Sequence, residues 1–96
     1  MLEEWLLKKK EIESSKDTLN GADLCYAKLM EAKLSDANLE EADLTAAYLI
    51  RADLSRANLS GADLTQAVLS EANLSGADMN EAELTDTFLN GANLQG

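Results

Sequence analysis

The sequence is defined first by what it lacks: it has no histidine, no proline, one cysteine and four aromatic residues. Without histidine it lacks the side chain that most often serves as a general base or a metal ligand. Cys25 has no partner for an internal disulfide. No apolar run is long enough to cross a membrane, and the acids in the first ten residues are unlike a secretory signal. We expect a cytoplasmic protein that is not an enzyme and needs neither a cofactor nor a metal ion.

Basic residues are also scarce, with 8 Lys and Arg against 18 Asp and Glu, which gives a net charge of −10. Direct binding to nucleic acid is not expected, because contacts to phosphates require a basic surface. An acidic chain of this kind is soluble, and it suits a partner that is itself basic.

What the sequence does contain is a period of five. Leucine occupies every fifth position from Leu19 to Leu94, with Met79 in one of these positions, and alanine usually stands two residues earlier. On an α-helix this spacing would leave successive leucines about 140° apart, and on a straight strand they would alternate between faces. A solenoid gives all of them one interior if each five-residue unit forms one side of a coil. Leucine and alanine then point inward, and the other three residues face solvent.

Residues twenty apart are alike, which predicts four units in each coil. Asp23, Asp43, Asp63 and Glu83 would form one outward column, and Thr45, Thr65 and Thr85 another. Reading every fifteenth residue mixes charged, aromatic and polar side chains instead. Stacked coils lie about 4.8 Å apart, so similar side chains would line up along the solenoid axis.

The units "ADLTQ", "ANLSG" and "ADLSR" resemble the consensus of the pentapeptide-repeat family, and the resemblance covers residues 17 to 96. It implies an all-β solenoid: a right-handed quadrilateral β-helix of about four coils, with no catalytic residue. We therefore expect two parts, an N-terminal helical cap over residues 1–16 and the repeat β-helix over residues 17–96.

The two ends of the solenoid are predicted to differ. Residues 2 to 12 form a short helix whose Leu2, Trp5, Leu6 and Ile12 cover the first coil as a cap. The sequence ends in "GANLQG" with no comparable lid, and an open coil is a template for another chain. We expect an end-to-end homodimer, or stacking on another repeat protein, through this uncapped C-terminal coil.

Two outward columns are candidate sites. The acidic column of Asp23, Asp43, Asp63 and Glu83 would attract a metal or a basic partner, or it simply fills the consensus position. On another side that position turns apolar, and with two nearby residues it forms a candidate partner-binding face of Met30, Tyr48, Ile50, Val68 and Phe88. Such a patch marks a protein interface or reflects packing between neighbouring coils, and the sequence leaves both open.

The sequence therefore favours a non-catalytic solenoid that serves as a protein-interaction or scaffold module, its specific biochemical role unknown. The alternative follows from the resemblance, because some family members inhibit type II topoisomerases such as gyrase by mimicking DNA in shape and charge. A further possibility is that the chain continues a longer solenoid.

Overall fold

The computed structural model describes residues 2–96, with side chains from Glu4 onward. It begins with helix α1, Leu2–Ser14, followed by one 3₁₀ turn, Lys16–Thr18. The rest of the chain coils, and eleven isolated parallel bridges join residues twenty apart, from Asp23–Asp43 to Asn73–Asn93. The four-sided solenoid is therefore confirmed. Neither helix is long and apolar enough to cross a membrane.

The expectation of an all-β chain needs correction, because the described residues contain no sheet. Each side of the coil contributes one bridging residue, and only one residue separates it from the turn on either side. A five-residue side is too short for a continuous strand once its corners are formed. The repeating element is a chain of turns joined by single bridges.

A β-turn closes every unit. The N–H of the residue in the alanine position donates to the carbonyl of the residue three places earlier, at 2.9–3.2 Å. The third residue of each turn has a positive φ, between 56° and 62° where it is not glycine. Positive φ at that position alone is the signature of a type II turn, which favours glycine. Eleven of these corners nevertheless carry another residue.

Backbone hydrogen bonds then join the coils, as the unit from Ala52 to Arg56 illustrates. The N–H of Ala52 closes the turn, Asp53 donates to the preceding coil, and Leu54 and Arg56 donate to the next. One donor remains, the N–H of Ser55, and it bonds to Oδ1 of Asp53 at 3.0 Å. The Ser55 hydroxyl donates to the same oxygen at 2.6 Å. This Asx hydrogen bond completes the backbone pairing of the unit.

The core is a column of leucines with alanines between them. The leucines from Leu29 to Leu69 are fully buried, and so are nearly all the alanines beside them. Burial declines in the last coil, where Leu84 and Leu94 are 36% and 52% exposed. Small alanine side chains leave room for the corners, which explains their position two residues before each leucine.

We predict that Ala46→Gly stabilises the fold. Ala46 has a φ of 57° at a corner, a conformation that costs an L-residue about 1–2 kcal/mol and glycine almost nothing. The free energy of unfolding should rise by about 1 kcal/mol in urea titrations. The matched control is Ala47→Gly, which removes a fully buried methyl group and should lower that free energy. A loss of stability in both variants would contradict the turn assignment.

A second prediction concerns acid. Asp43, Asp53 and Asp63 have pKa values below the usual 3.8 because each accepts hydrogen bonds, Asp43 chiefly from the Cys25 thiol and all three from the residue two places ahead. A carboxylate whose pKa is lower in the folded state stabilises the fold above its unfolded pKa, and this contribution is lost as the pH falls through the folded value. The free energy of unfolding should therefore fall between pH 5 and pH 2.

The triple variant Asp43→Asn, Asp53→Asn and Asp63→Asn tests this prediction, because the amide oxygen still accepts the backbone bond but does not titrate. Native Asn58 and Asn73 make the same bond at 3.0 Å. Urea titrations across the pH range should show a shallower decline for the variant. Parallel declines would mean that these carboxylates do not govern acid sensitivity.

Candidate partner-binding face

One of the four sides differs from the others at its second position. We call it the apolar side, and it comprises the units 27–31, 47–51, 67–71 and 87–91. Parallel bridges stack Lys28, Tyr48, Val68 and Phe88 along it, where the other sides mostly carry Asp or Asn. Nine Asx bonds to backbone N–H groups form on the other three sides. On the apolar side there is none among the described residues.

The missing Asx bonds leave a row of backbone donors without a partner in the described chain. They are the N–H groups of Met30, Ile50, Ser70 and Asn90, one in each coil. Valine, tyrosine and phenylalanine have no acceptor at the required position, so the lapse in the repeat has a direct structural consequence. Within the described residues, the apolar side therefore has the most backbone N–H groups without a hydrogen-bond acceptor.

All five residues of the predicted partner-binding face lie on this side. Met30, Tyr48 and Phe88 are 41%, 42% and 56% exposed, and Ile50 and Val68 are half-buried. The bridges place Tyr48 against Val68 and Val68 against Phe88. The side chains thus contact one another and present apolar surface to solvent at the same time.

Helix α1 adds a second wall to this face. A groove of about 580 Å³ lies between them, lined by Trp5, Leu6 and Lys9 of the helix and by Lys28, Met30, Glu31, Tyr48 and Ile50 of the solenoid. Trp5 and Leu6 were expected only as cap residues. Trp5 is partly buried against the first coil, and both residues line the groove. The sequence carries no signal for this placement, because it depends on how α1 lies across the first coil.

The remaining cap residues divide between core and solvent. Trp5 and Ile12 are partly buried against the first coil, whereas Leu6 is 52% exposed. The side chain of Leu2 lies outside the described residues. Three side-chain hydrogen bonds also attach the helical segment: Lys9 and Lys16 donate to carbonyls of the first coil, and Glu13 accepts the N–H of Lys33 at 2.7 Å.

The charges around the groove are unevenly matched. Glu31 pairs with Arg51 at 3.5 Å, and Arg51 also reaches Glu71 at 3.2 Å. Lys9 donates to the carbonyl of Met30 at 3.2 Å. Within the described residues neither Lys9 nor Lys28 contacts a carboxylate. The groove therefore offers two ammonium groups without acidic partners, on a chain whose net charge is −10.

The acidic column lies on a neighbouring side, where bridges stack Asp23, Asp43, Asp63 and Glu83 as the sequence analysis predicted. Ligand atoms of Asp23, Asp43 and Cys25 lie within 4.8 Å of one another. Hydrogen bonding to Asp43 and burial raise the pKa of the Cys25 thiol to about 12. These carboxylates thus accept hydrogen bonds from the Cys25 thiol and from backbone N–H groups. Asp and Asn accept the same backbone bond at this position on two other sides.

Comparisons with known proteins agree with this geometry. The family model described as pentapeptide repeats matches residues 18–45, 27–66 and 57–96, with eight copies. The crystal structure of a pentapeptide repeat protein from Nostoc Pcc 7120 is similar, with 32% identity and a TM-score of 0.68 over 85% of this chain and 73% of that one. No curated protein matches the chain significantly.

Two further structures share the repeat over part of their length. A pentapeptide repeat protein from the Arabidopsis thaliana thylakoid lumen is 29% identical, with a TM-score of 0.44 over 76% of this chain and 55% of that one. HetL, described as involved in heterocyst differentiation regulation in Nostoc sp. strain PCC 7120, is 38% identical, with a TM-score of 0.40 over 73% of this chain and 39% of that one. With its period, its four-sided coil and a family match over most of its length, the chain belongs to the pentapeptide repeat family.

Proposed function

We propose that this protein is a non-catalytic solenoid that binds a protein partner through its apolar side. The observation that carries the proposal is that every unit of this side lacks the Asx bond within the described residues, with Tyr48 and Phe88 exposed. On the other three sides the described chain after the 3₁₀ turn lacks the bond only at Lys33 and Glu83. The proposal includes the right-handed path and the cytoplasmic location expected from the sequence.

The energies involved help to decide whether the apolar residues serve partner binding or packing between coils. A backbone hydrogen bond contributes about 0.5–1.5 kcal/mol, and a cross-strand apolar pair contributes about 0.2–1 kcal/mol. The lost hydrogen bond and the gained apolar pair are of similar size, so an apolar residue in place of Asp or Asn adds little stability. Side chains that served packing alone would be buried, but Tyr48 is 42% and Phe88 is 56% exposed. Exposed aromatic side chains are typical anchors of protein interfaces.

The triple variant Tyr48→Asn, Val68→Asn and Phe88→Asn tests the proposal. Asparagine supplies the missing acceptor, so the free energy of unfolding should remain within about 1 kcal/mol of wild type. Capture of a partner from extracts of the native host should be lost. Urea titrations and quantitative pulldown measure the two effects separately.

The matched control places asparagine at the same position on the acidic side, as Asp43→Asn, Asp63→Asn and Glu83→Asn. It should leave partner capture unchanged. Loss of capture in this control, with retention in the apolar-side variant, would move the interface to the acidic column. A large loss of stability in the apolar-side variant would favour local packing.

The last coil offers a second surface for association with another protein chain. Its leucine-position N–H groups at Met79, Leu84, Leu89 and Leu94 have no partner in the described chain, and Leu94 is 52% exposed. Such an edge fits a second copy or another repeat protein. Residues 57–96 carry six acids and no base, so two identical ends repel each other. We propose end-to-end association that becomes stronger as salt screens this repulsion.

Light scattering tests this association. At high protein concentration the dimer fraction should be larger in 0.5 M than in 0.05 M sodium chloride, because the Debye length shortens. Leu84→Glu combined with Leu94→Glu should reduce it, with Leu6→Glu and Leu7→Glu on the helix as the matched control. A monomer under both salt conditions would refute the proposal.

The DNA-mimic alternative remains a hypothesis. The acidic column is the feature that favours it, whereas extents of 33 × 25 × 19 Å describe a compact block more than a rod. A gyrase supercoiling assay addresses it directly, and inhibition that disappears in the acidic-side variant would place it ahead of the apolar-side proposal.

A further inference from the structure

We infer that the groove between helix α1 and the apolar side receives an amphipathic α-helix of the partner, oriented with its C-terminal end at Lys9 and Lys28. This inference rests on the proposed function and specifies the partner's recognition element. It follows from three features of the apolar side: its dimensions, its backbone spacing and the arrangement of its charges.

The dimensions of the apolar side match a short helix. From Lys28 to Phe88 the column spans three coil spacings, about 14 Å, and a side is about 10 Å wide between corners. A helix of two to three turns is about 11–16 Å long and about 10 Å in diameter. Trp5 and Leu6 would hold one flank of it, and Met30, Tyr48 and Ile50 would lie beneath it.

The backbone spacing is unsuitable for an extended peptide. The unpartnered N–H groups of the apolar side repeat once per coil, about 4.8 Å apart, whereas carbonyls on one edge of an extended chain repeat about every 6.8 Å. Two adjacent donors therefore cannot both be in register with an extended peptide, because they would be about 2 Å out of step. A helix satisfies its own backbone and needs only the apolar surface that the side provides.

Charge gives the direction. Lys9 and Lys28 lie at the first-coil end of the apolar side without carboxylate partners in the described chain, and Asp86 lies beside Phe88 at the far end. A helix carries partial negative charge at its C-terminus and partial positive charge at its N-terminus. The favourable orientation therefore points the C-terminus toward the two lysines. Acidic residues in the last turn of the partner helix would strengthen the contact.

Selection from a display library of random 16-residue peptides tests the inference against the full chain. Selected peptides should carry apolar residues at i, i+3 or i+4, and i+7, with Asp or Glu near the C-terminus. They should be helical when bound, by isotope-edited NMR. A spin label on the peptide C-terminus should broaden the amide signals of Met30 and Ile50 more than that of Phe88.

Paired charge variants give the quantitative control. Lys9→Glu with Lys28→Glu should weaken binding of the selected peptides at least tenfold by fluorescence polarisation. Lys10→Glu with Lys33→Glu makes the same change in net charge away from the groove and should alter affinity less than twofold. If the first variant does not fold, Lys9→Gln with Lys28→Gln should still weaken binding more than Lys10→Gln with Lys33→Gln.

Several results would overturn the inference: extended bound peptides, equal effects of the two charge pairs, the reverse orientation, or no enrichment. These failures are distinct from failure of the proposed function. If the apolar-side Asn variant loses its native partner but the charge pairs act equally, the apolar side is an interface without a helix in the groove. If that variant keeps its native partner, the proposed function itself is wrong.

Discussion

The structure depends on one constraint: a chain that turns a corner every five residues must still pair every backbone N–H group. In units that have a coil on both sides, three donors bond to neighbouring coils and one closes the turn. The fifth needs an acceptor from a side chain, and Asp or Asn before the leucine supplies it, as Asp53 does for Ser55. Burial of the leucines drives the coil to form. The Asx bond then pairs the remaining backbone donor in each unit that makes it.

The apolar side gains its significance from this constraint. At Tyr48, Val68 and Phe88 the chain replaces the acceptor with apolar surface, and the leftover donors stay unpaired within the described residues. Elsewhere in the described coils the bond is missing only at the isolated positions Lys33 and Glu83, whereas on the apolar side its absence recurs in each coil and concerns the whole side. Helix α1 then encloses the first-coil end of the same side with Trp5 and Leu6. The cap and the proposed partner-binding face therefore share Trp5 and Leu6.

Much of this architecture could be predicted from the sequence because the period of five constrains geometry strongly. The leucine positions predict the interior, and similarity at twenty residues predicts which side chains stack, including Tyr48 on Val68. Other features depend on three-dimensional placement. The direction in which α1 crosses the first coil brings Leu6 to the apolar side, and no repeat encodes it. Likewise, corners such as Ala46 adopt positive φ because coil-to-coil bonding imposes it, against the preference of the residue.

The central claim is that the apolar side lacks, in all its units, the Asx hydrogen bond that nine described units of the other three sides form. Native-state amide hydrogen exchange, followed residue by residue by NMR, tests it most directly. The amides of Thr45, Ser55, Thr65 and Ser75 donate to Asx oxygens at 3.0–3.1 Å, and they should exchange at least tenfold more slowly than those of Ile50 and Ser70. Equal protection of the two sets, with the coil-to-coil amides protected as expected, would contradict the account.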